Sequence, residues 1–489
     1  MELPQINKFN ASAIKLTKVG VNKYQIEKIP GMKVKAVIYL KPGMIEQVKA
    51  DLSLLQLAEA AMLPGAISPV VGMPDIHQGF GLPIGGVMAT TGLISVGAVG
   101  MDINCGVRLI GTNLSYSEKL FSSETLRTLI HKIERKIPVG LGGERRALLP
   151  RITLKEIIQG GAEFVINAGY GNPEDLECIE EGGKMPEARY EALTPEALRR
   201  AGREIGTLGS GNHFIEFQKI EEVFDPEIAS AWGLSLNQVC FMVHCGSRAL
   251  GHQTCVDYTE IFWKARNKYK IEIPRIGLAA LPIDSPEGQN YFAAMAASVN
   301  FAFANRQLIM YELEKMLTEF FPGIKFNLIY DVAHNIAKWE SFGKLRTSPS
   351  TDKQSQILIH RKGATRALPA GHPQNPKKYI KTGHPAIVPG SMGTSSYVLV
   401  GTPKARQTFF SVNHGAGRLM SRKQAFRNIS KDQFEKSMGE IIYNLPYSKI
   451  VDEAPDAYKN IEDVVDTLVE AGITRKVVKL SPLAVIKGD

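Results

Sequence analysis

The stretch Phe326-Asn327-Leu328-Ile329-Tyr330-Asp331-Val332-Ala333-His334-Asn335 is a short apolar run that stops at a polar turn carrying a histidine. The pattern recurs. Residues 239–243 lead into His244-Cys245-Gly246-Ser247-Arg248, and residues 386–388 into Pro389-Gly390-Ser391-Met392-Gly393-Thr394. Residues 408–412 lead into Asn413-His414-Gly415-Ala416-Gly417-Arg418. Runs of this length read as strands, and glycine turns at strand ends let backbone N–H groups approach phosphates. With helices between the runs, the pattern predicts a large mixed α+β domain, with several β-sheets surrounded by helices. It does not fit a regular βαβ alternation. No repeat and no Pro- or Ser-rich linker marks an internal boundary, so residues 1–489 read as one domain.

The helices announce themselves by their caps. Residues 122–136 and 155–168 are amphipathic, Thr194-Pro195-Glu196 opens another helix, and Ser285-Pro286-Glu287 opens one that runs to about Leu317. Ser430-x-x-Gln433 is a capping box, and a helix from Asn460 ends near Gly472. Residues 78–101 carry no charge, but their seven glycines and one proline exclude a spanning helix and predict buried loop and strand. The first 15 residues are polar, so no secretory signal is expected. Five cysteines (105, 178, 240, 245 and 255) form no disulfide framework and point to a reducing, cytoplasmic setting. Lys+Arg 58 against Asp+Glu 49 gives +9, a balance that favours a polyanionic partner but also fits a merely basic soluble protein.

Metal-capable residues stand at the same turns. Asp102-x-x-Cys105 lies in a glycine-flanked loop, His213 follows Gly209-Ser210-Gly211-Asn212, and His244 and His334 end apolar runs. Their separations, from tens of residues to more than a hundred, exclude a zinc finger. A carboxylate, a thiolate and three imidazoles could make a two-metal site suited to phosphoryl chemistry, particularly with a bridging thiolate. His414 is a candidate nucleophile in a phosphate-binding turn with Arg418 as a bidentate donor; the plainer alternative is a further metal ligand. Asp75, in Asp75-Ile76-His77-Gln78-Gly79, could orient a histidine as triad acids do. His360-Arg361-Lys362-Gly363-Ala364-Thr365-Arg366 and Ser421-Arg422-Lys423 are basic clusters, or else ordinary polar turns.

Eight ordered motifs now stand together: Pro74-Asp75-x-His77-Gln78-Gly79, Asp102-Ile-Asn-Cys105-Gly-Val-Arg108, Gly-Ser-Gly-Asn212-His213, His244-x-Gly-Ser-Arg248, Asp-Val-Ala-His334-Asn335, His-Arg-Lys-Gly-Ala-Thr-Arg366, Pro-Gly-Ser-Met-Gly-Thr394 and His414-Gly-Ala-Gly-Arg418. From about residue 20 to the C-terminus the chain resembles the tRNA-splicing ligase RtcB family. The resemblance implies a GTP-dependent ligase joining RNA 2′,3′-cyclic phosphate or 3′-phosphate ends to 5′-hydroxyl ends, in tRNA splicing or RNA repair. By that resemblance two manganese ions would be held, one by Asp102, Cys105 and His213, the other by Cys105, His244 and His334. His414 would be guanylylated and Asp75 would orient it. Nucleotide contacts would come from Asn212, Glu216, His334, Asn335, Pro389, Gly390, Ser391, Met392, Ser396, His414, Gly415, Ala416, Gly417, Tyr458 and Lys487. Arg248, Arg418 and Arg422 would meet RNA. The resemblance also implies an archease-type activator, no membrane, and a monomer. Ile76, Cys245, Ala249 and Asn413 depart from the family's usual residues, which bears on loop geometry and substrate preference.

Thiolate and imidazole by themselves favour zinc over manganese; the resemblance points to manganese, whose weak binding suits a metal that reorganises around phosphates. Two other readings use the same residues. A two-metal phosphodiesterase would give His414 no covalent role. A non-catalytic RNA-binding protein would keep the metal for structure, although structural sites are usually closed and local.

Overall fold

Three of the quoted runs become strands of one sheet. The computed structural model describes residues 14–140, 142–143, 152–342 and 356–489; the first 13 residues, on which much of the N-terminal reading rests, lie outside it. In spatial order the eight-stranded sheet begins Phe326–Ala333, Gly106–Ser115, Gln238–Cys245, Phe214–Val223. It continues through Thr474–Lys487, Ser396–Gly401 and Ala386–Val388, with Ile442–Tyr443 added in parallel beside Thr474–Lys487. A seven-stranded sheet holds Leu16–Gly20, Lys23–Ile26, Ala36–Tyr39, Ala66–His77, Ile84–Thr90, Gln356–Lys362 and Asn335–Ser341. The chain crosses between the sheets at His334, the single residue separating Phe326–Ala333 from Asn335–Ser341. This is the expected α+β architecture.

The helices follow their caps. Ser122 caps Ser123–Lys136, Thr153 makes a capping box on Leu154–Asn167, Thr194 caps Pro195–Glu204, and Asn460 caps Ile461–Glu470. The capping box at Ser430 and Gln433 opens Lys431–Met438. The helix from Ser285 extends through Pro286–Phe320, a turn beyond the predicted end. Its middle, residues 291–310, is buried on every side, because it fills the core against the eight-stranded sheet rather than lying across it. Residues 78–101 form the expected buried loop and strands, and no helix among the described residues is long and apolar enough to cross a membrane. All five cysteines are free and buried.

Two expectations are corrected. The run 408–412 is not one strand: Thr408 ends a 3-10 helix, Phe409 and Phe410 take left-handed φ of 52° and 50°, and only Ser411–Asn413 pairs. The His360–Arg366 cluster is neither an exposed basic patch nor a polar turn. It lies in the buried strands Gln356–Lys362 and Ala364–Arg366, where Arg361 pairs with Glu340, and Arg366 with Glu180 and Glu181. The charges of its two arginines are matched from within.

Glu180 is the centre of that matching. Its carboxylate accepts from Lys338 Nζ, from Ala333 N at 2.9 Å, and lies 3.6 Å from Arg366 Nε. Burial would raise its pKa, but Lys338 and Arg366 prevail and hold it well below the usual carboxylate range. Lys338 likewise draws Glu181 down to about 2. Glu180→Gln should therefore destabilise the protein by about 3–5 kcal/mol at pH 7, the cost of stranding a buried charge. Because both folded pKa values are depressed, this stabilisation is present above the unfolded carboxylate pKa and is lost as pH falls through the folded values. Denaturant unfolding across pH should show the gap between wild type and variant closing on acidification; a gap constant with pH would contradict the assignment.

Candidate active site

The site follows from strand register. Gly106 pairs with Ala333 and Cys245, Val107 with His244, and His244 with Phe214. Four neighbouring strands therefore present Cys105, His244, His213 and His334 at one end, although 229 residues separate the first from the last in sequence (334 minus 105). His213 Nε2 lies 2.8 Å from Asp102 Oδ2 and 3.8 Å from Cys105 Sγ, and His244 Nε2 lies 3.1 Å from the same sulfur. Donor atoms of Asp102, Cys105 and His213 all fall within 4.8 Å of one another, as ligands of one cation would.

Orphaned atoms indicate that this cluster is built for something more. Both ring nitrogens of His334 and Nδ1 of His244 are buried without a hydrogen-bond partner. Buried imidazoles are normally hydrogen-bonded, so these unpartnered nitrogens, with His244 against the Cys105 thiol, are free to serve as metal ligands. Burial, then neighbouring positive charge, holds His244 and His334 well below the usual histidine range, leaving neutral ligand forms. Burial and the Asp102 charge push the Cys105 thiol up to about 12. For His213, burial acts downward, but Cys245 and Asp102 prevail and hold it high.

Across the cavity stands His414. Its Nδ1 lies 2.6 Å from Asp75 Oδ2, and the same oxygen accepts from His414 N at 2.9 Å and Gly415 N at 3.4 Å. Asp75 is fully buried, so ring and turn are fixed by one carboxylate and Nε2 is the nitrogen left over. The turn needs glycine: at Gly417, φ is +74° and a Cβ would stand 2.1 Å from Asp75 O. The His414 and His334 ring centres are 5.5 Å apart, which joins the nucleophile candidate to the thiol–imidazole cluster.

The cavity between them measures about 320 Å³. Of the residues singled out from sequence, Asp102, Cys105, Asn212, His244, His334, Asn335, residues 389–392, His414, residues 415–417, Arg418, Arg422, Tyr458 and Lys487 line it. Asp75 lies behind His414, and His213 behind Asp102 and Cys105. Glu216 and Ser396 sit behind the wall: Gln218 Nε2 donates to Glu216 Oε2 at 2.6 Å and to Ser396 Oγ at 3.0 Å, and Ser396 Oγ accepts from Gly390 N at 3.1 Å.

The three arginines differ. Arg418 donates to Met420 O, Glu453, Tyr458 and Asp452 O within 3.1 Å, so it braces the wall. Arg248, at φ 57°, donates to Thr207 Oγ1 at 3.2 Å and Gly140 O at 3.4 Å and does not line the cavity. Arg422 is 56% exposed, with Asp452 no nearer than 3.6 Å.

Four lining or supporting residues were not among the predicted site residues. His77 shares a strand with Asp75; its Nδ1 lies 2.9 Å from Asp75 O, and burial draws its pKa down to about 4. The i, i+2 spacing from Asp75 was the available signal. Lys459 donates to Pro74 O at 3.1 Å and to Ile76 O, gripping the backbone on both sides of Asp75. Lys362 donates to Gly97 O at 3.1 Å and to Phe80 O. Burial lowers both lysines to about 8. Glu453, which gathers Arg418, Tyr458 and Lys487, gave no signal in sequence.

A cavity of this chemistry on a mixed α+β frame is that of an enzyme. The family profile described as tRNA-splicing ligase RtcB matches residues 56–488. The chain is 43% identical over 468 residues to the tRNA-splicing ligase RtcB of Thermococcus kodakarensis, covering 94% of this chain and 95% of that protein. It is 41% identical to the protein of the same name from Archaeoglobus fulgidus, covering 97% and 99%. With the RNA-splicing ligase RtcB of Mycobacterium tuberculosis it shares 41% identity over 89% of this chain and all of that one. The chain belongs to the RtcB family.

Glu216 offers a direct check of the polar wall. Burial pushes its carboxyl up to about 8, against smaller opposing effects of Gln218 and Lys487, and its Oε1 has no partner. A folded pKa above the unfolded one makes stability fall as pH rises between the two. Glu216→Gln should therefore gain on wild type progressively from about pH 4.3, the unfolded value, to about 8. Infrared difference spectra should find a protonated carboxyl in the wild type at pH 7 that the variant lacks; its absence would contradict a protonated Glu216.

Proposed function

We propose that this protein is a GTP- and manganese-dependent RNA ligase that joins 2′,3′-cyclic phosphate or 3′-phosphate RNA ends to 5′-hydroxyl ends. The observation that carries the reading is the 2.6 Å contact between His414 Nδ1 and buried Asp75, which aims one imidazole nitrogen at a cavity shared with an unsatisfied thiol–imidazole cluster. Asp102, Cys105 and His213 would hold one cation and Cys105, His244 and His334 the other. When bound, such ions neutralise phosphate charge and polarise P–O bonds.

The residues of the chain then divide the work. A cyclic end, when present, is first opened by water to a 3′-phosphate. His414 Nε2 attacks the α-phosphorus of GTP; a P–N bond forms, the α–β bridging P–O bond breaks, and pyrophosphate leaves. Asp75 keeps the Nδ1 proton in place and stabilises the charge that develops on the ring. A 3′-phosphate oxygen of the RNA displaces His414 from GMP. Then the 5′-hydroxyl loses its proton, attacks the 3′-phosphate, and GMP departs. Prior activation is required because an unesterified phosphate oxygen is a poor leaving group. Positioning in a rigid site supplies most of the acceleration.

Lys487, Tyr458, Ser391 and the Asn212 and Asn335 amides are nucleotide contacts in this reading, with Glu216 and Ser396 supporting the wall. Arg422, and less directly Arg248, meets RNA phosphates. One ligase domain, a monomer in the cytoplasm assisted by an archease-type activator and serving tRNA splicing or RNA repair, completes the proposal.

Enzyme incubated with manganese and α-labelled GTP, without RNA, should acquire label in an acid-labile, alkali-stable bond. His414→Ala should abolish labelling and joining yet still join RNA whose 3′ end already carries GMP, while Asp75→Ala should slow labelling. Labelling that survives in His414→Ala moves the nucleophile elsewhere.

RNA affinity should fall linearly with log salt, each neutralised phosphate contributing roughly −0.9 on duplex and −0.7 on single strands. Arg422→Ala should flatten the slope by about one contact's share, more than Arg418→Ala, whose guanidinium is occupied within the protein. Equal slopes for wild type and Arg422→Ala would leave that residue a partner of Asp452 and Glu453 only.

A further inference from the structure

We propose that Arg306, on the buried helix Pro286–Phe320, is the positioning residue that fixes the spacing of the three strand ends carrying Cys105, His244 and His334. The inference rests on reading those residues as metal ligands. It assigns a role to a side chain that touches neither the cavity nor any of the three.

Arg306 is fully buried, and its guanidinium donates four hydrogen bonds and adds an ion pair to Asp331. Nη1 donates to Asn104 O at 2.9 Å and Cys245 O at 2.7 Å. Nη2 donates to Asn104 Oδ1 at 3.1 Å and reaches Asp331 Oδ1 at 2.8 Å, the oxygen that Nε also meets at 2.9 Å. Asn104 immediately precedes Cys105, Cys245 immediately follows His244, and Asp331 stands three residues before His334. One rigid, planar cation thus ties together two strand-end backbones and, through the Asp331 carboxylate, the third strand that must converge with them. Lysine, a point charge on a flexible stem, could not reproduce the fork.

The surroundings are shaped for that fork. A Cβ at Gly106 would stand 2.3 Å from Val332 O and 3.0 Å from Arg306 Cζ, so glycine is required there by the paired strand and also leaves the guanidinium its room. The neighbouring Asn305 performs the same task on the fourth loop. Its Oδ1 accepts from Gly206 N at 2.6 Å and Thr207 N at 3.2 Å, and its Nδ2 donates to Cys245 Sγ at 3.1 Å. Those residues lead to Leu208, whose carbonyl lies 3.1 Å from His213 Nδ1.

Arg108 provides an internal control. It is equally buried and pairs with the other oxygen of Asp331, Nε at 2.9 Å and Nη2 at 2.8 Å, but its Nη1 goes to Gln307 and Met310, not to a strand-end carbonyl. Loss of either arginine leaves the Asp331 carboxylate half-paired. Only loss of Arg306 releases the loops.

The test is titration of the full-length protein with cobalt(II) alone, read by the thiolate-to-cobalt charge-transfer band, beside thermal unfolding of each variant without metal. Arg306→Lys should weaken cobalt binding roughly 10–100-fold, as loss of outer hydrogen-bond partners does at metal sites, and diminish the band. Arg108→Lys should lose comparable thermal stability and keep near wild-type affinity. Equal affinity losses in the two variants, or none in Arg306→Lys, would overturn the proposal.

Should Arg306→Lys fail to fold, Asn104→Gly serves instead. Asn104 has φ +52°, which glycine accepts, and its side chain bonds only to this helix, at Arg306 and Val299 O. That variant should bind cobalt several-fold more weakly while losing no more thermal stability than Arg108→Lys, and wild-type affinity would count against the role of Arg306. A wild type lacking the charge-transfer band altogether would remove the ligand reading itself, a pattern distinct from the others.

Discussion

The hydrogen-bonded register of four adjacent strands is the constraint on which the rest of the site depends. With Gly106 opposite Ala333 and Cys245, and His244 opposite Phe214, no freedom remains in where Cys105, His213, His244 and His334 converge. A one-residue slip in any pairing would turn the affected side chain to the other face of the sheet. The ladder is bonded outside as well as within: His334 N donates to Cys105 O at 2.7 Å, and Asn104 N to Asn335 O at 2.7 Å, just past the last paired residues. Local glycine turns alone could not hold five chemically reactive groups at such short range.

The second half of the site depends on the seam between the sheets. Because His334 is the only residue between two strands of different sheets, the thiol–imidazole cluster abuts the sheet that carries Asp75. His414 reaches that seam from a two-stranded detour, Ser411–Asn413 pairing with Ala364–Arg366. A histidine at the end of so short a strand is held by its partners: Asp75 fixes the ring, and Lys459 fixes the backbone carrying Asp75. Ordering these groups before substrate arrives is how a site avoids reorganisation during reaction.

Much of this was legible in the sequence, and the physics says which part. Apolar runs ending in glycine turns gave the strands at Phe326 and Val239, amphipathic periodicity gave the helix at 122–136, and Thr194, Ser285 and Asn460 gave helix starts, because these signals are local. The site residues were legible through motif resemblance, since pairing across more than a hundred residues leaves no trace in spacing. What escaped was nonlocal. The Arg361 and Arg366 stretch reads as basic surface until Glu340, Glu180 and Glu181 are found against it. Lys459 and Glu453 matter only through partners far away in sequence. The left-handed Phe409 and Phe410 broke a run that looked like one strand, against the intrinsic preference of both residues.

The central claim is that Cys105 is shared between two cation positions at these strand ends. Crystals of the full-length protein grown with manganese, measured at the manganese absorption edge, test it most directly. The account predicts two anomalous peaks flanking Cys105 Sγ, one toward Asp102 and His213, the other toward His244 and His334. A single peak remote from the sulfur, or two peaks that do not share it, would contradict the account.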